Sequence, residues 1–216
     1  MTVHVKICGL SSAEGIQATA AAGATYMGFV FYPPSPRAVT PDQAARLAGF
    51  VPPSITKVAL LVDAPDRLSS EVISAVNPDL LQLHGKETPA RVAEIKRRFG
   101  CAVMKAVAIG DADDVAQAGI YETIADLLLF DAKPPKSMAN ALPGGNALAF
   151  DWALIASRKT AIPWMLSGGL TPDNVAKAIR VTGARMVDVS SGVEDAPGVK
   201  NPALIKAFVK AAQSAS

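Results

Sequence analysis

Cys8 and Asp131 are the two side chains whose type and position best suit proton transfer. Cys8 closes the stretch Val3, His4, Val5, Lys6, Ile7 and is followed by Gly9. A thiol can act as a base once ionised, and a nearby cation favours the thiolate. Side chains alternate along a strand, so Lys6 shares the face of Cys8 while Val5 and Ile7 point the other way. Lys6 is therefore the expected cation. Asp131 follows the apolar run Leu127 to Phe130, which places a carboxyl at a strand end as Cys8 places a thiol. The plainer alternatives are a small buried apolar residue at Cys8 and a turn-capping carboxylate at Asp131.

Other residues stand at similar strand ends. Ser167, Gly168, Gly169, Leu170 and Ser190, Ser191, Gly192, Val193, Glu194 form two glycine-containing turns. Small residues let backbone N–H groups approach an anion, so these turns are expected to hold a phosphate. Arg37 follows the stiff sequence Tyr32, Pro33, Pro34, Ser35, Pro36 and could bind a carboxylate with two hydrogen bonds. His84 ends Leu81, Gln82, Leu83, His84 as a second proton carrier, a substrate contact or a packed polar residue. Asp188 shares parity with Ser190 and is expected to face inward and pair with Lys6, since neither charge is stable inside alone. Cys101 and His4 fall at the opposite strand ends and are expected to be structural. No metal-ligating constellation is apparent.

What positions these residues is a repeating unit. Eight β-rich runs occur: Val3 to Cys8, Tyr26 to Phe31, Thr56 to Val62, Asp79 to His84, Ala102 to Ile109, Ala125 to Asp131, Ile162 to Ser167 and Ala184 to Ser191. Their starts lie 22 to 37 residues apart, room for one strand, one helix and two loops. Thr40, Thr88, Thr171 and Asn201 each precede a proline and predict helix N-caps. Gly23, Gly100 and Gly183 predict helix ends. Neither a dinucleotide-binding fingerprint nor a Walker loop is present, so the expected class is α/β, a closed (β/α)8 TIM barrel forming a single domain over residues 1–216. Such barrels work at the C-terminal rim of their strands. The segment Lys133 to Ala149, with Pro134, Pro135, Pro143, Gly144 and Gly145, predicts a lid or substrate loop.

Composition narrows the partners. The 21 basic and 19 acidic residues give a charge of +2, with no basic run able to track a nucleic acid. No apolar run approaches the roughly 18 residues of a membrane span, and no secretory leader follows Met1. Two cysteines 93 positions apart suit reduced thiols and a cytoplasmic protein. The expected partner is a small-molecule substrate, and the expected state a monomer, with a homodimer as the alternative.

The motifs KICGL at Lys6, SPR at Ser35, LQLHG at Leu81, FDW at Phe150, SGGL at Ser167 and SSGVE at Ser190, with the strand ending in Asp131, together resemble phosphoribosylanthranilate isomerase of tryptophan biosynthesis, nearly end to end. The resemblance implies an Amadori rearrangement of N-(5-phosphoribosyl)anthranilate, without metal or cofactor. It assigns the acid to Asp131, the base to Cys8, the anthranilate carboxylate to Arg37, and the phosphate to Gly169 and the Ser190 to Gly192 turn. Related sugar-phosphate barrels typically carry aspartate where Cys8 stands. The family's loop usually reads Gly-Gly-Thr-Gly before Phe-Asp-Trp, whereas Gly144 and Gly145 are followed here by Asn146 and Ala147. The alternatives are another phosphosugar isomerase or epimerase, disfavoured by Cys8, and a catalytically silent phosphate-binding barrel, disfavoured by Cys8, Asp131 and Arg37 together.

Overall fold

The apolar runs become parallel strands because each is short, β-branched or aromatic in part, and buried on both faces. The computed structural model describes residues 2–134, 142, 144–146, 148–156 and 158–215; Pro135, Pro143 and Ala147 of the expected lid lie outside them. The strands are β1 (His4–Cys8), β2 (Tyr26–Phe31), β3 (Thr56–Leu61), β4 (Leu80–Leu83), β5 (Ala102–Ile109), β6 (Leu127–Ala132), β7 (Trp164–Leu166) and β8 (Met186–Val189). They pair in chain order and close into a (β/α)8 barrel, with β1 against β8. Closure sets Lys6 opposite Asp188, and the β1–β2 pairing sets Cys8 opposite Gly28.

Alternation along the strands sorts the side chains. Val58, Leu80, Met104, Leu127, Leu129 and Met165 fill the lower barrel, and Cys8, Val30 and Leu60 form a smaller group above them. Val5, Ile7, Phe29, Leu81 and Phe130 face outward into the layer between strands and helices. The helices are α1 (Ala13–Ala21), α2 (Pro41–Ala48), α3 (Asp66–Val76), α4 (Pro89–Phe99), α5 (Ala112–Gln117), α6 (Ala153–Ala156), α7 (Val175–Thr182) and α8 (Pro202–Gln213). Thr40, Thr88 and Asn201 cap α2, α4 and α8, each with proline in the first turn. Gly23, Gly100 and Gly183 follow α1, α4 and α7 in left-handed backbone, where a side chain would be strained.

Thr171 does not cap α7. An extra turn intervenes, Asn174 is the N-cap, and its side chain accepts the Thr171 N–H at 2.8 Å while donating to Gly169 O at 2.9 Å. The eighth strand also ends two residues earlier than expected. Ser190 and Ser191 leave it for a 3₁₀ turn over Ser191–Val193, followed by an antiparallel hairpin of β9 (Glu194–Ala196) and β10 (Val199–Lys200). Strands of two or three residues carry too little periodicity to be read from sequence. Among the described residues no helix is long and apolar enough to cross a membrane.

Candidate active site

A cavity opens at the C-terminal ends of the strands, and Cys8, Arg37, Gln82, His84, Asp131 and Asp188 all line it. Gly168, Gly169, Ser190 and Ser191 form another part of its wall. The residues expected at the rim thus come together with one exception. Gly192 does not line the cavity, because it packs on the far side of its turn. A Cβ there would lie 1.9 Å from Leu170 O, so close backbone approach accounts for this glycine.

On the β1 side, Cys8 is 4% exposed and Lys6 is completely buried. Lys6 Nζ donates to Asp188 Oδ1 at 2.8 Å, and Ser167 Oγ donates to Asp188 Oδ2 at 3.1 Å. The expected buried pair is therefore formed. Burial opposes the Lys6 cation, but Asp188 and the Cys8 sulfur outweigh it and hold its pKa above the ordinary lysine value. Gly28 leaves room for this cluster, since a Cβ on it would stand 3.0 Å from Cys8 Sγ and 3.2 Å from Lys6 Nζ. Lys6 favours the Cys8 thiolate as expected, but it does not prevail. Burial pushes the thiol pKa up, and although Lys6 pulls it down, Asp188 adds to the rise, leaving it above the ordinary cysteine value.

Across the cavity, Asp131 Oδ1 accepts the N–H of Ala132 at 2.9 Å, and its Oδ2 lies 3.2 Å from His84 Nε2. The other ring nitrogen, Nδ1, is 2.7 Å from Gln82 Nε2. His84 is therefore integrated into the site, not merely packed. Gln82 was legible in principle: two residues before His84 on one strand, it must share its inward face.

Arg37 is buried. Its Nε and Nη2 each donate to Glu194 at 2.8 Å. Lys200 Nζ donates to Glu194 Oε1 at 2.6 Å and to Ser190 O at 2.9 Å, while Ser190 Oγ donates to Cys8 O at 3.1 Å. Burial favours the neutral form of Glu194, yet Arg37 and Lys200 prevail and hold its pKa below the usual glutamate value. Glu194 and Lys200 went unassigned because only the β9–β10 hairpin brings them to the site.

Gly144 and Gly145, after β6, lie against these groups. A Cβ on Gly144 would stand 2.7 Å from Asp131 Oδ2 and 2.8 Å from His84 Nε2, and one on Gly145 would stand 2.7 Å from Arg37 Nη1. A side chain at either position would have to displace these groups, and at Gly145 the φ of +75° also favours glycine. Asn146 closes a small ring with Leu142, accepting its N–H at 3.1 Å and donating to its O at 2.6 Å. Ala147 lies outside the described residues.

Residues 5–211 match the model of the N-(5'phosphoribosyl)anthranilate (PRA) isomerase family. The chain belongs to that family. It is accordingly an isomerase of tryptophan biosynthesis. It is 59% identical to the N-(5'-phosphoribosyl)anthranilate isomerase of Parvibaculum lavamentivorans, covering 100% of both chains, and 54% identical to that of Paramagnetospirillum magneticum, covering 99% of this chain and 98% of that one. The phosphoribosyl anthranilate isomerase structure from Thermotoga maritima superimposes with a TM-score of 0.86 at 36% identity, over 98% of this chain and 99% of that one. A further PRA isomerase structure, solved with reduced 1-(o-carboxyphenylamino)-1-deoxyribulose 5-phosphate, matches with a TM-score of 0.83 at 35% identity, over 98% and 99% of the two chains.

Proposed function

We propose that this protein converts N-(5-phosphoribosyl)anthranilate to 1-(2-carboxyphenylamino)-1-deoxyribulose 5-phosphate, with Asp131 as general acid and Cys8 as general base. The observation that carries this reading is that a thiol and a carboxyl line one cavity together with an arginine and two small-residue turns. The reaction needs an acid, a base, and anchors for a carboxylate and a phosphate.

Asp131 gives its proton to the furanose ring oxygen, the C1′–O bond breaks, and the anthranilate nitrogen lone pair forms the C1′=N bond of a protonated Schiff base. The Cys8 thiolate then takes the C2′ proton, the C–H pair becomes the C1′=C2′ bond of an enolamine, and the imine electrons return to nitrogen. Tautomerisation gives the ketone. Arg37 meets the anthranilate carboxylate, and Gly168, Gly169, Ser190 and Ser191 surround the phosphate, with backbone of the Gly192 turn behind them. His84 supports Asp131, and Asp188 holds Lys6 beside Cys8. The protein acts as a cytoplasmic, single-domain monomer on this small substrate.

The test is loss of anthranilate-type fluorescence on addition of phosphoribosylanthranilate. Cys8→Ala and Asp131→Ala should each lower kcat by about 100- to 10,000-fold, the range removed with one general acid or base. Wild-type turnover in both variants would overturn the assignment.

A further inference from the structure

Gln82 is completely buried in the barrel wall, beside the acid but bearing no group able to exchange protons with substrate. Its amide nitrogen faces His84 Nδ1 at 2.7 Å. An amide NH₂ can only donate, so Nδ1 must accept, and the proton of the neutral imidazole sits on Nε2. That Nε2–H points at Asp131 Oδ2, 3.2 Å away, while Asp131 Oδ1 already accepts the Ala132 N–H. Among the described residues, Gln82 Oε1 is buried without a hydrogen-bond partner. Nothing on the oxygen side therefore dictates how the amide is turned. The imidazole, and the carboxylate beyond it, decide the orientation.

We infer that Gln82 is a positioning residue for the reaction, holding His84 in the Nε2–H tautomer so that it donates to Asp131. This rests on Asp131 being the acid. As Asp131 releases its proton to the ring oxygen it becomes a carboxylate, and that carboxylate finds a donor on each oxygen, from Ala132 and from His84. In the opposite tautomer Nε2 would present a lone pair to the new anion, opposing proton release. The three side chains act as one unit in which the amide fixes the ring, and the ring meets the charge the step creates.

The tautomer can be read without turnover. In the intact, substrate-free protein with ¹⁵N-labelled histidine, NMR should find His84 protonated on Nε2 and bare on Nδ1; a proton on Nδ1 in the neutral ring overturns the proposal. Gln82→Met removes the donor at similar length, and Gln82→Glu replaces it with an acceptor that draws the proton to Nδ1. Expected are falls in kcat of about 10-fold and about 100-fold respectively, with KM within about threefold, as for lost orientation behind a reacting group. A folded Gln82→Glu enzyme with its proton moved to Nδ1 and wild-type kcat also overturns it. Failure of the underlying reading looks different: Asp131→Ala would then be active, whereas loss of the Gln82 role alone leaves Asp131→Ala inactive.

Discussion

Cys8 carries a conflict between the charge it must bear and the site it occupies. Burial and Asp188 favour the thiol while Lys6 favours the thiolate, and the balance lies above the ordinary cysteine value. In a Cys101→Ser background, alkylation of Cys8 by iodoacetamide should therefore reach half-maximal rate above pH of about 8.5, where a free thiol would. Removing the cation in Lys6→Met should move that midpoint higher, and neutralising Asp188 in Asp188→Asn should move it lower. Movement of both in one direction would refute this account of the local field. Cys8, Lys6, Asp131 and Asp188 were legible because strand parity and rim position follow from the local sequence. The net direction of the thiol shift was not, because it depends on burial and on a charge from the far end of the chain.

The β9–β10 hairpin is the element that orders Arg37. Glu194 accepts from two of its guanidinium nitrogens while Lys200 donates to the same carboxylate, so the side chain reaches the cavity already aimed. Glu194→Gln keeps the size but loses the bidentate ion pair. Breaking one partner of a buried pair is costly, and the variant should lose about 3 kcal/mol in urea unfolding. Its KM should rise about tenfold with a smaller change in kcat, since Arg37 binds substrate without joining the proton transfers. An unchanged KM would detach Arg37 order from binding. The long strands and the proline-marked caps at Thr40, Thr88 and Asn201 were legible because their signals are local. Thr171 misled because an extra turn follows it: its own N–H is taken by Asn174 Oδ1, whose amide also ties down Gly169, and the helix starts only after Asn174. The hairpin escaped notice because its pairing involves too few residues to leave a pattern.

Over the whole molecule, stability should share one dependence on acid. Arg91 and Arg98 hold Asp66 below its ordinary pKa. Burial opposes ionisation of Asp114 and Glu194, but the hydrogen-bonded cations Lys133, and Arg37 with Lys200, lower both nonetheless. A carboxyl whose pKa is lower folded than unfolded stabilises the fold above its unfolded value, near 4, and loses that contribution as pH falls through the folded value. The urea midpoint should thus hold from pH 7 to pH 5 and fall below about pH 4; a rise there would contradict these pairs. The sequence by itself determined the alternation of strand and helix, the inward parity of Cys8, Lys6 and His84, and the family, since periodicity and motifs are properties of neighbours along the chain. Only the tertiary structure decided which charges meet. Barrel closure lays β1 against β8 and brings Lys6 to Asp188, while the loop after β2 and the hairpin after β8 converge to bring Arg37 to Glu194. Electrostatic interaction depends on distance in space and on the dielectric that burial creates, and neither is written in the spacing of residues along the chain.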